Sequence, residues 1–204
     1  MTNEMLQELT GKIDHYAKAM LSPARYEHCV RVADLSSQLC ERFGLHPRRG
    51  YLAGLAHDLC KSAREPWLRM MARKDREPFE PIEKEKPSLL HGRAAAVLLH
   101  EEFAIREDDI LSAVRNHTFG HERICPLGQV VFVADKIEPG RDAVDPSFRE
   151  QVLNSDLDDM SLLVIENNLS FLSSRGRMIS IHTELMYRRL LEKGSMKHEI
   201  VSRG

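Results

Sequence analysis

The chain has 204 residues, of which 42% are hydrophobic and 29% charged, enough to bury a core without staples. A formal net charge of −2 excludes the basic footprint of a polyanion binder, so no nucleic-acid partner is expected. No apolar run approaches the roughly 18 residues that span a bilayer. The N-terminal Met-Thr-Asn-Glu-Met-Leu-Gln-Glu lacks the basic-then-apolar pattern of a secretory signal, so no membrane partner is expected either.

Ser22-Pro23 predicts a helix start, with Ser as N-cap and Pro at the first helical position, and Gly44 predicts its stop. Between them Val32, Leu35, Leu39 and Phe43 recur at helical spacing. His28 lies one turn before Val32 and is expected to face the same interior side. A second helix is expected from about Pro47 to Ala63, closed off by Pro66, with Leu52, Leu55, Ala56 and Leu59 around His57-Asp58. The stretch Arg76 to Pro87, with three prolines and alternating charge, reads as a loop bordering a cleft.

A third helix is expected to begin near Ser88 to His91 and run through Phe103, and a fourth from about Glu107 to His117, ending before Gly120. This puts His91 near a helix start and His117 near a helix end. Leu127 to Ile137 contains Val-Val-Phe-Val, which has strand propensity, but Val130, Val133, Ala134 and Ile137 fit a helix and no second strand-like run exists to pair with it. Two further helices, roughly Asp156 to Ser173 and Ile181 to Lys193, flank the polar turn Ser174-Arg-Gly-Arg177. The expectation is an all-α bundle forming a single domain over residues 1–204. Cys29, Cys40, Cys60 and Cys125 show no C-x-x-C spacing and read as reduced thiols of a cytoplasmic protein.

Within that pattern, His57-Asp58 interrupts the apolar run Tyr51 to Leu59, and Asp135 repeats the anomaly in the helix before Pro139-Gly140. An aspartate buried among Leu and Ala costs roughly several kcal/mol unless its charge is paired. A metal ion in the core between helices is a natural partner. Imidazole with carboxylate suits Fe, Mn or Zn better than Mg or Ca, which prefer oxygen shells. The plainer explanation of the dipeptide is a capping or salt-bridged aspartate beside a satisfied core histidine.

The ordered set His28, His57-Asp58, His91, His117 and Asp135 on a helical chain resembles the HD superfamily of metal-dependent phosphohydrolases. A closer resemblance is carried by Leu-Ser-Pro-Ala-Arg-Tyr-Glu-His28, Tyr-Leu-Ala-Gly-Leu-Ala-His57-Asp58-Leu-Cys-Lys61, His91-Gly92, Asn116-His117-Thr118 and Ala-Asp135-Lys-Ile-Glu-Pro-Gly-Arg141. These strings look like the YqeK branch, the bacterial symmetrical diadenosine tetraphosphate hydrolases, over about Ser22 to Arg189.

That resemblance implies a dinucleoside polyphosphate substrate cleaved to two ADP, and iron or another divalent transition metal held by His28, His57, Asp58 and Asp135. It implies contacts to the nucleotide or its phosphates from Arg25, Asp58, Lys61, His91, His117, Thr118, Asp135 and Arg141. It extends these to the loop before the last helix, Met178, Ile181, His182 and Thr183. Family members usually read Ile-His-Pro there, whereas this chain reads Ile181-His182-Thr183, which bears on the nucleotide side and not on the metal. A homodimer, allowed by apolar helix faces, is also suggested.

Asp58, Lys61, His91 and His117 are the expected catalytic group. His91 and His117 have three readings: phosphate contact, general acid, or ligands of a second ion. His15, His46, His100, His121 and His198 lack a motif context and read as structural or surface groups. The alternatives are another HD nucleotide phosphohydrolase, acting on mono- or triphosphates, and a non-catalytic HD-like nucleotide-sensing module. A cyclic dinucleotide phosphodiesterase of the HD-GYP type is disfavoured, because no Gly-Tyr-Pro follows the His-Asp pair.

Overall fold

The computed structural model describes residues 1–202, with side chains through Gly194. Its helices are α1 (Asn3–Met20), α2 (Pro23–Arg42), α3 (Pro47–Ala56), α4 (Glu65–Ala72), α5 (Pro81–Glu85), α6 (His91–Glu102), α7 (Asp108–Asn116), α8 (Pro126–Ile137), α9 (Pro146–Leu153), α10 (Leu157–Ser173) and α11 (Ile181–Ser202). Short 3-10 turns occupy Arg73–Asp75 and Pro87–Leu90, and no strand occurs among the described residues. No helix there is long and apolar enough to cross a membrane.

The bundle is organised by α8, which packs on α2, α3, α7 and α10. Being surrounded, it is buried on nearly every side, from Leu127 through Asp135 and again at Ile137. That is why Val-Val-Phe-Val carries no polar face, and a helix apolar all round is a core helix. Ser22 Oγ accepts from Arg25 N–H at 3.3 Å to start α2, as the Ser-Pro pair predicts.

The second expected helix is shorter than the sequence suggests, since α3 stops at Ala56. His57 Nδ1 lies 2.6 Å from the Gly54 carbonyl, competing for the acceptor that the next helical amide would use. The chain then continues on i→i+3 bonds, Leu59 N to Ala56 O at 3.2 Å and Lys61 N to Asp58 O at 2.9 Å. His57-Asp58 therefore sits at a helix end and not inside a helix. Pro66, expected only as a stop, is the N-terminal proline of α4.

The expected loop 76–87 also contains structure: α5 is closed by a capping box between Glu80 and Glu83. The guanidinium of Arg93 on α6 anchors this segment, donating to Glu83 Oε2 at 2.8 Å, to Asp75 Oδ1 at 2.7 Å and to the Glu77 carbonyl at 2.8 Å. Helices α1 and α9, unanticipated from the sequence, begin on the side-chain caps of Thr2 and Asp145.

Two close approaches set the spacing of the site. A Cβ on Gly54 would lie 2.7 Å from Ala33 Cα and 2.9 Å from Ala33 N, so α3 crosses α2 backbone against side-chain-free backbone. A Cβ on Gly92 would lie 3.0 Å from the Arg115 carbonyl and from the His117 ring, which lets the start of α6 meet the end of α7. Replacing Gly54 by Ala is expected to cost about 1–3 kcal/mol by overpacking and to loosen metal retention, because α2 carries His28 and α3 delivers His57. Denaturant melts together with metal content of Gly54→Ala would measure both.

Candidate metal centre

Four histidines reach one buried point from four helix ends or flanks. His28 comes from α2, His57 follows α3, His91 opens α6 and His117 follows α7. Three of the rings use the same device. His57, His91 and His117 each place Nδ1 on the carbonyl three residues back, Gly54 at 2.6 Å, Ser88 at 2.8 Å and Val114 at 2.7 Å. A carbonyl can only accept, so Nδ1 carries a proton, and in the neutral ring Nε2 presents a bare lone pair. His28 does the same through Glu138, whose Oε1 lies 3.1 Å from its Nδ1.

The four Nε2 atoms then converge. His28 and His57 approach to 3.3 Å, and His91 and His117 to 3.0 Å. Asp135 Oδ1 lies 3.2 Å from His28 Nε2 and 3.6 Å from His57 Nε2. Asp58 Oδ2 lies 3.6 Å from His57 Nε2, while Asp58 Oδ1 lies 3.0 Å from His91 Nε2 and 3.5 Å from His117 Nε2. Asp58 Oδ1 is buried and makes no hydrogen bond.

Acceptors facing acceptors at such distances repel unless positive charge lies among them, and a buried unsatisfied carboxylate oxygen demands the same. The carboxyl ends of α3, α7 and α8 also point their carbonyl dipoles toward this region, which favours a cation. Mixed imidazole and carboxylate donors fit a divalent transition metal. The residues present therefore fit the expected ion. They form three overlapping groups that suit one: His28-His57-Asp58, His57-His117-Asp135 and Asp58-His91-His117.

Protonation follows the same logic. Burial alone would raise Asp58 and Asp135, but the histidines around Asp58, and Lys136 with His28 and His57 around Asp135, hold both well below the usual carboxylate range. Burial pushes His117 down to about 3, keeping it neutral. His57 is driven the other way. Burial would lower it, yet Asp58 and Asp135 raise it, a measure of how strongly the two carboxylates call for positive charge.

A ring of cations surrounds the cluster. Arg25 Nη1 donates to Asp58 Oδ2 at 2.8 Å, Arg141 Nη2 to Asp135 Oδ1 at 2.6 Å, and Lys61 Nζ lies 3.1 Å from His91 Nε2 and 3.7 Å from Asp58 Oδ1. These three side chains are 33%, 38% and 36% exposed, against 2% for Asp58, so each keeps donors toward solvent. Thr118 Oγ1 sits 3.3 Å from both His91 Nε2 and His117 Nε2.

Thr118 also lines a groove of about 980 Å³ whose walls include Glu80, Arg93, Arg115, His121, Ile181 and His182. Glu77, Pro78, Glu80 and Glu83 put the segment 76–87 on its border, as the sequence predicts. The segment 178–183, which runs into the first turn of α11, does not reach the His-Asp cluster. Ile181 and His182 stand in the groove wall, Thr183 is buried with Oγ1 donating to the Phe119 carbonyl at 2.7 Å, and Met178 is exposed outside the groove lining. His198 lies outside the described side chains.

Glu138, Arg31 and Lys136 stand at the site with no role assigned from the sequence. Glu138, 1% exposed, accepts from Arg31 Nε at 2.5 Å and from Gly140 N–H at 2.6 Å while holding His28. Burial would raise it, but Arg31 and His28 keep it below the ordinary value, so it is ionised. Lys136 Nζ donates to Asp135 Oδ2 at 2.9 Å and to the His117 carbonyl at 2.6 Å. The available signal is an acid between Ile137 and Pro139 in an otherwise apolar helix end.

The chain is similar to known proteins over most of its length. It is 29% identical over 83% of its residues, and 91% of the relative's, to the symmetrical bis(5'-nucleosyl)-tetraphosphatase of Bacillus subtilis. To the protein of the same name from Halalkalibacterium halodurans it is 28% identical, over 89% of this chain and 96% of that one. A crystal structure from Clostridium acetobutylicum, described as a "predicted HD superfamily hydrolase involved in NAD metabolism", superposes with a TM-score of 0.83 at 24% identity, covering 90% of this chain and 97% of the other. The family profile named HD domain matches residues 25–140, more than half of the chain and all six of the converging ligand-type residues, and the chain belongs to the HD domain family.

Proposed function

We propose that this protein is a metal-dependent hydrolase that cleaves diadenosine tetraphosphate symmetrically into two ADP. The observation that carries the metal-dependent part is the convergence of four Nε2 atoms on two buried aspartates, one with an orphaned oxygen. The substrate rests on the names of the Bacillus and Halalkalibacterium relatives. Residues 1–204 are taken as one HD domain, since α1 packs on α3 and α11 on α10. The free cysteines and weak net charge suit a cytoplasmic enzyme with no nucleic-acid partner. Exposed Phe171, Leu185 and Leu191 offer apolar surface to a homodimer.

His28, His57, Asp58 and Asp135 are the proposed ligands, with iron as the proposed ion. When bound, such an ion supplies a nucleophile near neutral pH and Lewis acidity toward a phosphoryl oxygen. One ion is preferred to two, because the Lys61 ammonium already brings positive charge to the His91-His117-Asp58 side.

The polyphosphate is anionic along its whole length, and Arg25, Lys61 and Arg141 meet it from the rim. Each is anchored on a ligand aspartate or on His91 and offers its remaining N–H groups outward. Because Nδ1 of His91 and His117 is committed to a carbonyl, their Nε2 atoms serve as acceptors. We assign His91 to holding the Lys61 ammonium on its Nε2, and His117, kept neutral by its burial, to bounding the phosphate site beside Thr118. Thr118, placed between these rings and the groove, leads the nucleotide toward Ile181 and His182 in the groove wall, with buried Thr183 supporting that wall and Met178 outside it.

Metal analysis and product chromatography on diadenosine tetraphosphate test this directly. ADP is expected as the sole product, and Asp58→Ala is expected to lose both metal and turnover. ATP plus AMP from the wild type, or an untouched substrate, would remove the substrate assignment and leave the metal centre standing. Lys61→Ala is expected to keep its metal while kcat/KM falls by about 10–100-fold, the worth of one charge-assisted hydrogen bond. Glu138→Gln is expected to fold normally but to bind the ion about 10–100-fold more weakly, since it releases the His28 ring. Chelator competition reads the difference.

A further inference from the structure

A second group of ligand-type side chains lies outside the buried cluster, where His121, Glu122 and His182 bring one donor atom each within 4.8 Å of one another. His121 and Glu122 belong to the turn between α7 and α8, and His182 to the first turn of α11. No motif points to this group, and His121 on its own reads as a surface residue. The fold assembles it.

We propose that His121, Glu122 and His182 form an accessory site for a divalent transition metal at the wall of the groove. An ion about 2.1 Å from each of its ligands in a tetrahedral arrangement separates ligand atoms by about 3.4 Å. Glu122 Oε2 lies 3.3 Å from His182 Nδ1 and 3.5 Å from His121 Nδ1. The two rings are stacked, with centroids 4.7 Å apart and planes 26° apart, so their edges face the same carboxylate.

Proton placement is ready for an ion. The Arg123 backbone N–H donates to His121 Nδ1 at 3.0 Å, which makes that nitrogen the unprotonated one, and an ion bound there takes the place of the amide. His182 stands between two carboxylates, Glu122 Oε2 at 3.3 Å from Nδ1 and Glu80 Oε1 at 3.5 Å from Nε2, so a proton held on the Glu80 side leaves Nδ1 open to an ion. Two nitrogens and one oxygen select zinc, nickel, cobalt or copper over magnesium and calcium. The side chains of His121, Glu122 and His182 are 21%, 32% and 39% exposed, so the remaining coordination positions open to solvent and groove.

Such an ion ties the α7–α8 turn to α11 across the same wall as Thr118, three residues before His121. The test is zinc alone, titrated into the intact purified protein against a chromophoric chelator. One equivalent beyond the content of the buried cluster is expected. That equivalent is expected to weaken by on the order of tenfold or more in Glu122→Gln and in His182→Ala, and to persist in Asp58→Ala. Zinc is also expected to raise the Tm of the wild type and to leave that of His182→Ala unchanged. No added equivalent in the wild type overturns the proposal. So does one that survives at full affinity in both variants, or one that vanishes with Asp58→Ala. None of these readings depends on the nucleotide substrate, so the accessory site and the hydrolase assignment fail separately.

Discussion

Four imidazoles tied back through Nδ1 and aimed through Nε2 at two carboxylates in a dry core make an assembly that only positive charge can hold together. Much of the surrounding architecture follows from meeting that constraint. Three of the rings take the carbonyl of the residue three positions back, Gly54, Ser88 or Val114, and a regular helix ends or begins at each of these places. Ring orientation and helix termination are thus one event. The termini also bring their carbonyl dipoles to the site, so backbone and side chains act in the same electrostatic sense.

The surrounding cations divide by depth. Lys136 and Arg31 are structural counter-charges, the first tying Asp135 to the His117 carbonyl and the second fixing Glu138 beneath His28. Arg25, Lys61 and Arg141 stand at the rim, half committed to the cluster and half open. A buried ion pair alone contributes little to stability. Here the pairs orient the donors, and their partly solvated members provide the polarity that an anionic substrate needs.

Much of this was legible in the residues. Asp58 and Asp135 stand out because a charge in an apolar helical run is costly, and His28 falls on the interior face by simple periodicity. The helical reading of Leu127 to Ile137 holds because α8 is the surrounded core helix, and all-round apolarity had mimicked strand propensity. The extent of the helix after Pro47 was misjudged for a physical reason: nothing in a hydrophobic pattern reveals that the His57 ring will take a backbone carbonyl and end α3 at Ala56. The role of Glu138 was unread for a related reason, since it depends on a ring 110 residues away in the chain. Helices α1, α4 and α9 are set by caps and terminal prolines whose signals are short and local.

The metal cluster and the groove are built from different material. Helix ends and close backbone crossings at Gly54 and Gly92 hold the cluster, whereas turns and short segments around 76–87, 118–123 and 178–183 wall the groove. Arg93 fastens one of those segments, and Glu80 joins it to the next by accepting from Ser180 Oγ at 2.7 Å and Ile181 N–H at 3.1 Å. Thr183, where this chain departs from the Ile-His-Pro pattern of the family it resembles, therefore falls on the groove's scaffolding and leaves the donors in register. A lineage built this way can explore new ligands without first dismantling its chemistry.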